Sequence, residues 1–365
     1  MTRLVRILAA AFALIITCSY ISSLADGVAP YDQSNPQILT ADHLYAKSAL
    51  LVDERTGEEL LSKNARVRMF PASTTKIMTL LLALESDIPL DAQVTIPAQA
   101  ADIPEGSSVI PVKPGDVTSF EDLLYGFMLS SGNDGANAIA ILTDGSIEAF
   151  VARMNRRARE LGLEDTHFTT CSGLYDDGEH YSSAWDIAVM SRELLKHPFI
   201  KDYTTIWLDS IRDGAFELNN TNKLVYWYPG CTGLKTGYTS TALFCLAASA
   251  EREGTEYIAV VLRCETPEQR SQDAKTLLNY AFANYRLCPL RPSEPLREMP
   301  VDMGRQGSVG LRVDSPEHVL APKSGEEPAC MNSAGRTAGS QSSPAGSVSV
   351  ISSLMRLPIC SGLLT

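Results

Sequence analysis

Patterns suited to β-strands stand at both ends of the central part of this chain, with helical patterns between them. Ala49-Leu50-Leu51-Val52 is a short apolar run, Asp53-Glu54-Arg55-Thr56-Gly57 is a turn cluster, and Glu58 to Ser62 returns, so a hairpin is expected. From Asn219 the chain again breaks into short apolar runs: Lys223 to Trp227, Gly233 to Thr236, Phe244 to Ala248 and Tyr257 to Leu262. The gaps between them are too short for crossover helices, so antiparallel pairing is expected. Between the two ends, helical spacing of apolar residues marks Ile77 to Leu84, Phe120 to Leu129, Ala136 to Leu142, Ile147 to Leu161 and Ser183 to Leu195. A last helix is expected over Gln272 to Tyr285. A chain arranged this way builds one sheet from both ends and packs helices against it, an α/β fold of the α+β type.

The first residues read as an export signal. Arg3 and Arg6 precede an apolar run from Ile7 to Ile16, and Ser23-Leu24-Ala25 offers small residues where a signal peptidase cuts. The apolar run is too short for a membrane span. Removing residues 1–25 takes away two arginines and no acid, so a chain of net charge −12 becomes more acidic still. That balance argues against nucleic acid and against polybasic adsorption to anionic lipid. The expected location is outside the cytoplasm, in the cell envelope or secreted.

Seven cysteines remain after the signal, an odd number for an exported chain. Cys231 and Cys245 flank a strand and could meet across a hairpin as a disulfide, or serve as small buried thiols. His43, His167, His180, His197 and His318 form no His-Glu-x-x-His pair, and no Cys-x-x-Cys exists, so neither a metal centre nor any other cofactor is expected. Pro300 to His318 keeps some strand-like alternation through Val309, Leu311 and Val313. Beyond Glu327 the chain is rich in Ser, Gly, Ala and Thr without periodicity.

Three short motifs carry chemistry. Ser73-Thr74-Thr75-Lys76 opens the helix that follows Pro71, so the Ser73 hydroxyl lies near the positive end of a helix and Lys76 lies on the same face. Such a lysine serves as a base only if burial or a neighbouring cation lowers its pKa, and Lys235 is a candidate for that cation. Ser131-Gly132-Asn133 stands at a helix–helix break, where it offers a hydroxyl for proton relay and an amide for a carbonyl, or simply makes a turn. Lys235-Thr236-Gly237 lies on a strand, where lysine and threonine suit a carboxylate and glycine admits a close backbone. Singly each is weak; in this order they form the set on which penicillin-interacting serine enzymes are built.

Pro71-Ala72-Ser73-Thr74-Thr75-Lys76-Ile77-Met78-Thr79 and Gly233-Leu234-Lys235-Thr236-Gly237-Tyr238-Thr239 resemble the serine-type D-alanyl-D-alanine carboxypeptidases, the low-molecular-mass penicillin-binding proteins. Ser172-Gly173-Leu174, His180-Tyr181-Ser182 and Asp186 resemble that family's segment between the second and third motifs. The resemblance runs from about Ala46 to about Tyr285. It implies the β-lactamase-like fold, an antiparallel sheet flanked by helices with an all-helical lobe carrying Ser131. It implies Ser73 as nucleophile, Lys76 as its base, Ser131 as a further catalytic residue and Asn133 as a cleft residue. It assigns the substrate carboxylate to Lys235, Thr236 and Arg270, with Gly237 at the strand edge and the backbone N–H groups of Ser73 and Tyr238 as the oxyanion hole. The implied partners are a peptidoglycan stem peptide ending in D-Ala-D-Ala and β-lactams as covalent inhibitors.

On this reading residues 38–287 form the catalytic domain, 288–327 a remnant of a β-rich domain and 328–365 a low-complexity tail. The family's basic amphipathic membrane helix has no match in the tail, which leaves membrane association open. Two rivals stand beside the peptidase. A β-lactamase would need Ser-Asp-Asn and a glutamate with a downstream asparagine, whereas here Glu164 is followed four residues on by Phe168. A wall-binding or regulatory protein would keep the motifs but acylate poorly.

Overall fold

Strand β1 (Ser48–Asp53) is buried at every position, which is why it reads as an unbroken apolar run and not as an alternating one. In the computed structural model, described over residues 28–289 apart from 30, 33, 37, 111, 175–177, 198, 212–213 and 215, and over 299–300, 308–309 and 318–324, it lies inside a five-stranded sheet. The sheet also contains β2 (Glu59–Lys63) and, from the other end of the domain, β7 (Cys231–Thr239), β8 (Leu243–Arg252) and β9 (Thr255–Cys264). The order is β2-β1-β9-β8-β7, antiparallel throughout, so both ends of the domain contribute to one sheet as expected. Register places Leu50 opposite Val260 and Leu51 opposite Ala259. Alternation then sends Leu50, Val52, Ile258 and Val260 to one core, and Ala49, Leu51, Ala259 and Val261 to the other.

The second core is closed by the last helix among the described residues. It spans Pro267–Asn284, starting before the expected Gln272, because Thr266 caps it in a capping box with Gln269 and Pro267 fits the first turn. Ala274, Leu277, Leu278 and Ala281 face the sheet from this helix. The first core holds the remaining helices: α1 (Lys76–Leu84), α2 (Phe120–Ser130), α3 (Asn133–Asp144), α4 (Ile147–Glu160), α5 (Ala184–Leu195) and α6 (Ile200–Thr204). Helix α4 is amphipathic, with Phe150, Met154 and Ala158 buried at four-residue spacing. Helix α1 differs: every residue from Lys76 to Ala83 is buried, so it threads the middle of the core and takes a lysine there with it.

Two small hairpins were not foreseen, β3 (Gln93–Thr95) with β4 (Val117–Ser119) and β5 (Leu208–Ile211) with β6 (Phe216–Asn219). One expectation is corrected. Lys223 to Trp227 is not a strand; Leu224–Trp227 is a short helix, α7, and the Pro267–Asn284 helix is α8. The Asn222 side chain starts it by accepting from the Leu224 N–H at 3.2 Å, and the Tyr228 N–H closes it on the Leu224 carbonyl at 2.8 Å. Of the two readings of Cys231 and Cys245 the disulfide is excluded and the buried thiol holds, with Ala250 opposite Cys231 and Gly237 opposite Cys245 across β7 and β8. They also belong to different cores, on the two faces of the sheet.

After α8, β10 (Tyr285–Pro289) pairs antiparallel with β11 (His318–Pro322), both in the unit formed by Met1–Leu290 and Pro316–Ala329. In the other unit, Arg291–Ser315 with Cys330–Thr365, Met299–Pro300 pairs with Ser308–Val309. Leu311 and Val313, the leader expected at 1–25 and the tail expected at 328–365 lie outside the described residues. Because neither Cys231 nor Cys245 is in a disulfide, an alkylating agent applied to unfolded, unreduced protein should modify both; peptide mapping that finds them joined would contradict this sheet register.

Candidate active site

Ser73 lies in a tight 3-10 turn, Ala72–Thr75, that feeds directly into α1. It therefore stands in the first turn of the helical segment, whose cap is Pro71. Ala72 takes a left-handed φ of 47°, which turns the chain sharply before the serine. Two glycines make room for that turn. A Cβ on Gly173 would sit 1.9 Å from the Ala72 carbonyl oxygen, and one on Gly237 would sit 2.9 Å from the Pro71 carbonyl oxygen and 3.1 Å from the Ser73 nitrogen. The edge strand β7 thus passes against the backbone of the serine.

Lys76 Nζ is fully buried and has three oxygens in reach: Ser73 Oγ at 3.0 Å, Asn133 Oδ1 at 2.7 Å and the Ser172 carbonyl at 2.9 Å. Burial pulls its pKa down to about 7, with partial opposition from Cys171 and Asp134. Of the two expected causes, burial is the leading one, and the repulsion between Lys76 and Lys235 bears mainly on Lys235. As a neutral amine the nitrogen has two protons for Asn133 and Ser172, and its lone pair is then left facing Ser73 Oγ.

Ser131 takes a left-handed φ of 59° at the break between α2 and α3 and is 4 % exposed. It lines a cleft of about 510 Å3 together with Ser73, Thr236, Gly237, Tyr238 and Arg270. Lys235 is buried behind it, donating to the Thr236 carbonyl at 3.0 Å. Burial first, then the Lys76 and Arg270 cations, push the Lys235 pKa well below its usual value. Arg270, in the first turns of α8, is half-buried in the cleft wall. Its guanidinium lies over the Phe244 ring at 5.7 Å, Phe244 stacks on Tyr238 at 4.5 Å, and the buried Arg270 Nε finds no hydrogen-bond partner among the described residues. All nine residues named from the sequence are brought to this one region.

The cleft also uses residues that the motifs did not mark. Ser108 lines it, held by a loop whose Ile110 N–H donates to Asp134 Oδ1 at 2.9 Å, while the Asn133 N–H donates to the Ser108 carbonyl at 2.8 Å. The Ile110 side chain fills a slot left open by Gly126, Gly132 and Gly135. Burial raises the Asp134 pKa to about 6. The opposite wall comes from Asn219, Asn220, Thr221 and Lys223, with Thr236 Oγ1 donating to Thr221 Oγ1 at 2.7 Å. Asp134 was within reach of sequence reasoning, being next to Asn133; Ser108 sits in a loop with no pattern to flag it. His180 ties the linking segment to the serine turn. Its Nδ1 accepts from the Thr169 N–H at 3.0 Å, so its Nε2 donates to Thr75 Oγ1 at 2.8 Å. Glu164, the residue that a β-lactamase reading would require, is exposed.

Comparison with known proteins gives the same direction. A family profile described as D-alanyl-D-alanine carboxypeptidase matches residues 35–266. D-alanyl-D-alanine carboxypeptidase DacF of Bacillus subtilis is 40% identical over 286 residues, 76% of this chain and 73% of that protein. DacC of Escherichia coli is 33% identical over 306 residues, covering 81% of this chain and 76% of its own. Among solved structures, penicillin binding protein 5 from Haemophilus influenzae superposes with a TM-score of 0.70 at 30% identity, over 82% of this chain and 85% of that one. The Streptomyces K15 DD-transpeptidase gives 0.64 at 31% identity, over 67% of this chain and all of its own. A buried lysine aimed at a serine, a cleft walled by an edge strand, and matches that span most of the described residues agree, and the chain belongs to the D-alanyl-D-alanine carboxypeptidase family of serine peptidases.

Proposed function

We propose that Ser73 attacks the carbonyl of the penultimate D-alanine of a peptidoglycan stem pentapeptide, with the lone pair of Lys76 taking the hydroxyl proton. The observation that carries this is the buried Lys76 Nζ, whose contacts to Asn133 and Ser172 leave it facing Ser73 Oγ at 3.0 Å. In this reading the oxyanion is met by the backbone N–H groups of Ser73 and Tyr238, on the strand edge that Gly237 brings against the serine. Ser131 passes a proton to the departing amine, and the terminal D-alanine leaves. Water then hydrolyses the acyl-enzyme. Asn133, its oxygen turned to Lys76, has its NH2 left for a substrate carbonyl.

The terminal carboxylate is assigned to Lys235, Thr236 and Arg270. Burial and mutual repulsion disfavour the charged forms of Lys235 and Arg270, and an anion between them favours both charged forms. β-Lactams, which carry a carboxylate and an acylating carbonyl, fit the same site as covalent inhibitors. We place the reaction outside the cytoplasm, with residues 1–25 as a signal peptide, 38–287 as the catalytic domain, 288–327 as a β-rich remnant and 328–365 as a tail.

Wild-type protein should take a stable fluorescent penicillin label and release D-alanine from a peptide ending in D-Ala-D-Ala. Ser73→Ala should do neither while melting at the same temperature; a label that persists in that variant would remove Ser73 as the nucleophile. The pH profile of kcat/KM should rise through about 7, because Lys76 is the base only when neutral and its pKa is about 7. Asp134→Asn keeps an acceptor for the Ile110 N–H but removes the charge that favours protonated Lys76, so its acid limb should move to lower pH. Asp134→Ala leaves buried N–H groups without that acceptor and should cost about 1–3 kcal/mol in denaturant unfolding. An unmoved limb in Asp134→Asn would separate that carboxylate from the base.

A further inference from the structure

Beside the cleft, Trp207, Tyr226 and Trp227 form a joined aromatic surface. The Trp207 and Tyr226 rings are 5.6 Å apart, Tyr226 and Trp227 meet edge-on at 4.6 Å, and Tyr226 and Trp227 are 59% and 68% exposed, with Leu208 next to Trp207 at 62%. Single exposed apolar residues need no explanation, but a contiguous aromatic patch points to a partner. This patch is built rigidly. Asn222 accepts from the Leu224 N–H that starts α7 and donates to the Gly233 carbonyl of β7 at 2.9 Å, so the helix carrying Tyr226 and Trp227 is fixed to the strand that bears Lys235. It is also continuous with the cleft, because Lys223, the residue before α7, lines it.

We propose that this surface is a platform for the glycan of the wall, a neutral polymer of N-acetylated hexopyranoses whose C–H faces stack on aromatic rings. The inference rests on the peptidase reading of the cleft. Charge favours this occupant over a lipid surface or a nucleic acid: the chain is acidic, and exposed Asp209 and Glu217 lie on the hairpin beside Trp207. The patch adjoins the cleft wall, because the Asn220 N–H donates to the Trp207 carbonyl at 2.9 Å and Asn220 and Thr221 line the cleft. On this proposal the sugar held here lies outside the reacting stem peptide, on a neighbouring strand. The platform therefore holds the enzyme on assembled wall and adds nothing toward a soluble precursor, an effect of local concentration.

The test uses the full secreted chain and sacculi stripped of protein and teichoic acid. The double variant Tyr226→Ala/Trp227→Ala should bind sacculi with an apparent Kd raised about tenfold, the loss expected when aromatic contacts worth about 1.4 kcal/mol are removed. It should release D-alanine from a small diacylated D-Ala-D-Ala peptide at the wild-type rate, which also reports that it is folded. Wild-type tryptophan emission should shift on addition of chitotetraose, and that shift should vanish in the variant. Sacculus binding equal to wild type overturns the platform, and so does wild-type binding to anionic vesicles that the double substitution abolishes. Failure of the wild type to release D-alanine from the small peptide counts instead against the peptidase reading.

Discussion

The desolvation of one lysine is the constraint around which this domain is arranged. Lys76 begins a helix that is buried along nearly its whole length, so its side chain has no water to keep it charged. An isolated ammonium in such a place would cost several kcal/mol, and the group relieves that cost by giving up its proton near neutrality. The fold then has to supply acceptors for the remaining N–H groups, and it draws them from far apart in sequence: Asn133 at the start of α3 and the Ser172 carbonyl in the linking segment. Holding those two acceptors in place accounts for much of the local architecture. Thr79 donates to the Cys171 carbonyl and His180 anchors Thr75, so the linking segment is fastened to α1 on both sides of Ser172.

Close approach of backbones is the second requirement. The serine turn is wedged between the linking segment and β7, and neither neighbour tolerates a Cβ where Gly173 and Gly237 stand. The same device recurs on the far side of the site, where three glycines open a slot for Ile110 and the Asp134 carboxylate fastens the loop that presents Ser108. Burial raises the pKa of the Cys171 thiol to about 12, so it stays neutral beside Lys76; Asp134, raised only to about 6, is the neighbour whose charge favours the protonated lysine.

Much of this was legible in the sequence because it depends on local pattern. The β1–β2 hairpin, the break at Ser131 and helices α2 to α5 follow from apolar periodicity and turn residues, which act within a few positions. The errors came where side chains act on the backbone from outside the pattern. Lys223 to Trp227 has the β-favouring composition of a strand, but Asn222 recruits its backbone into a helical turn. The start of α8 was placed late because Thr266, Pro267 and Gln269 are polar and give no periodic signal. Cys231 and Cys245 are near in sequence and share a hairpin, yet a bulge at the start of β7 and the two-sided burial of the sheet put them in separate cores. The depth of Lys76 was invisible for a related reason. Helical spacing shows that one face of α1 is apolar, but only packing from α3, α5 and β7 shows that its other faces are covered too.

The electrostatics of the cleft follow from the same burial. Lys76, Lys235 and Arg270 are brought together with no carboxylate salt-bridged to any of them among the described residues, and burial disfavours the charged form of each. Two of the three lie on the strand edge or beside it, and Lys76 alone faces the serine. In the proposed mechanism a ligand with a single carboxylate near the edge satisfies Lys235 and Arg270 and leaves Lys76 as the base. A ligand lacking that carboxylate leaves the edge cations to compete for charge with each other. Preference for a free C-terminus in this reading does not require a pocket shaped to the last residue. It arises because the fold has already spent its stability on holding two cations apart from water, and only an anion returns it.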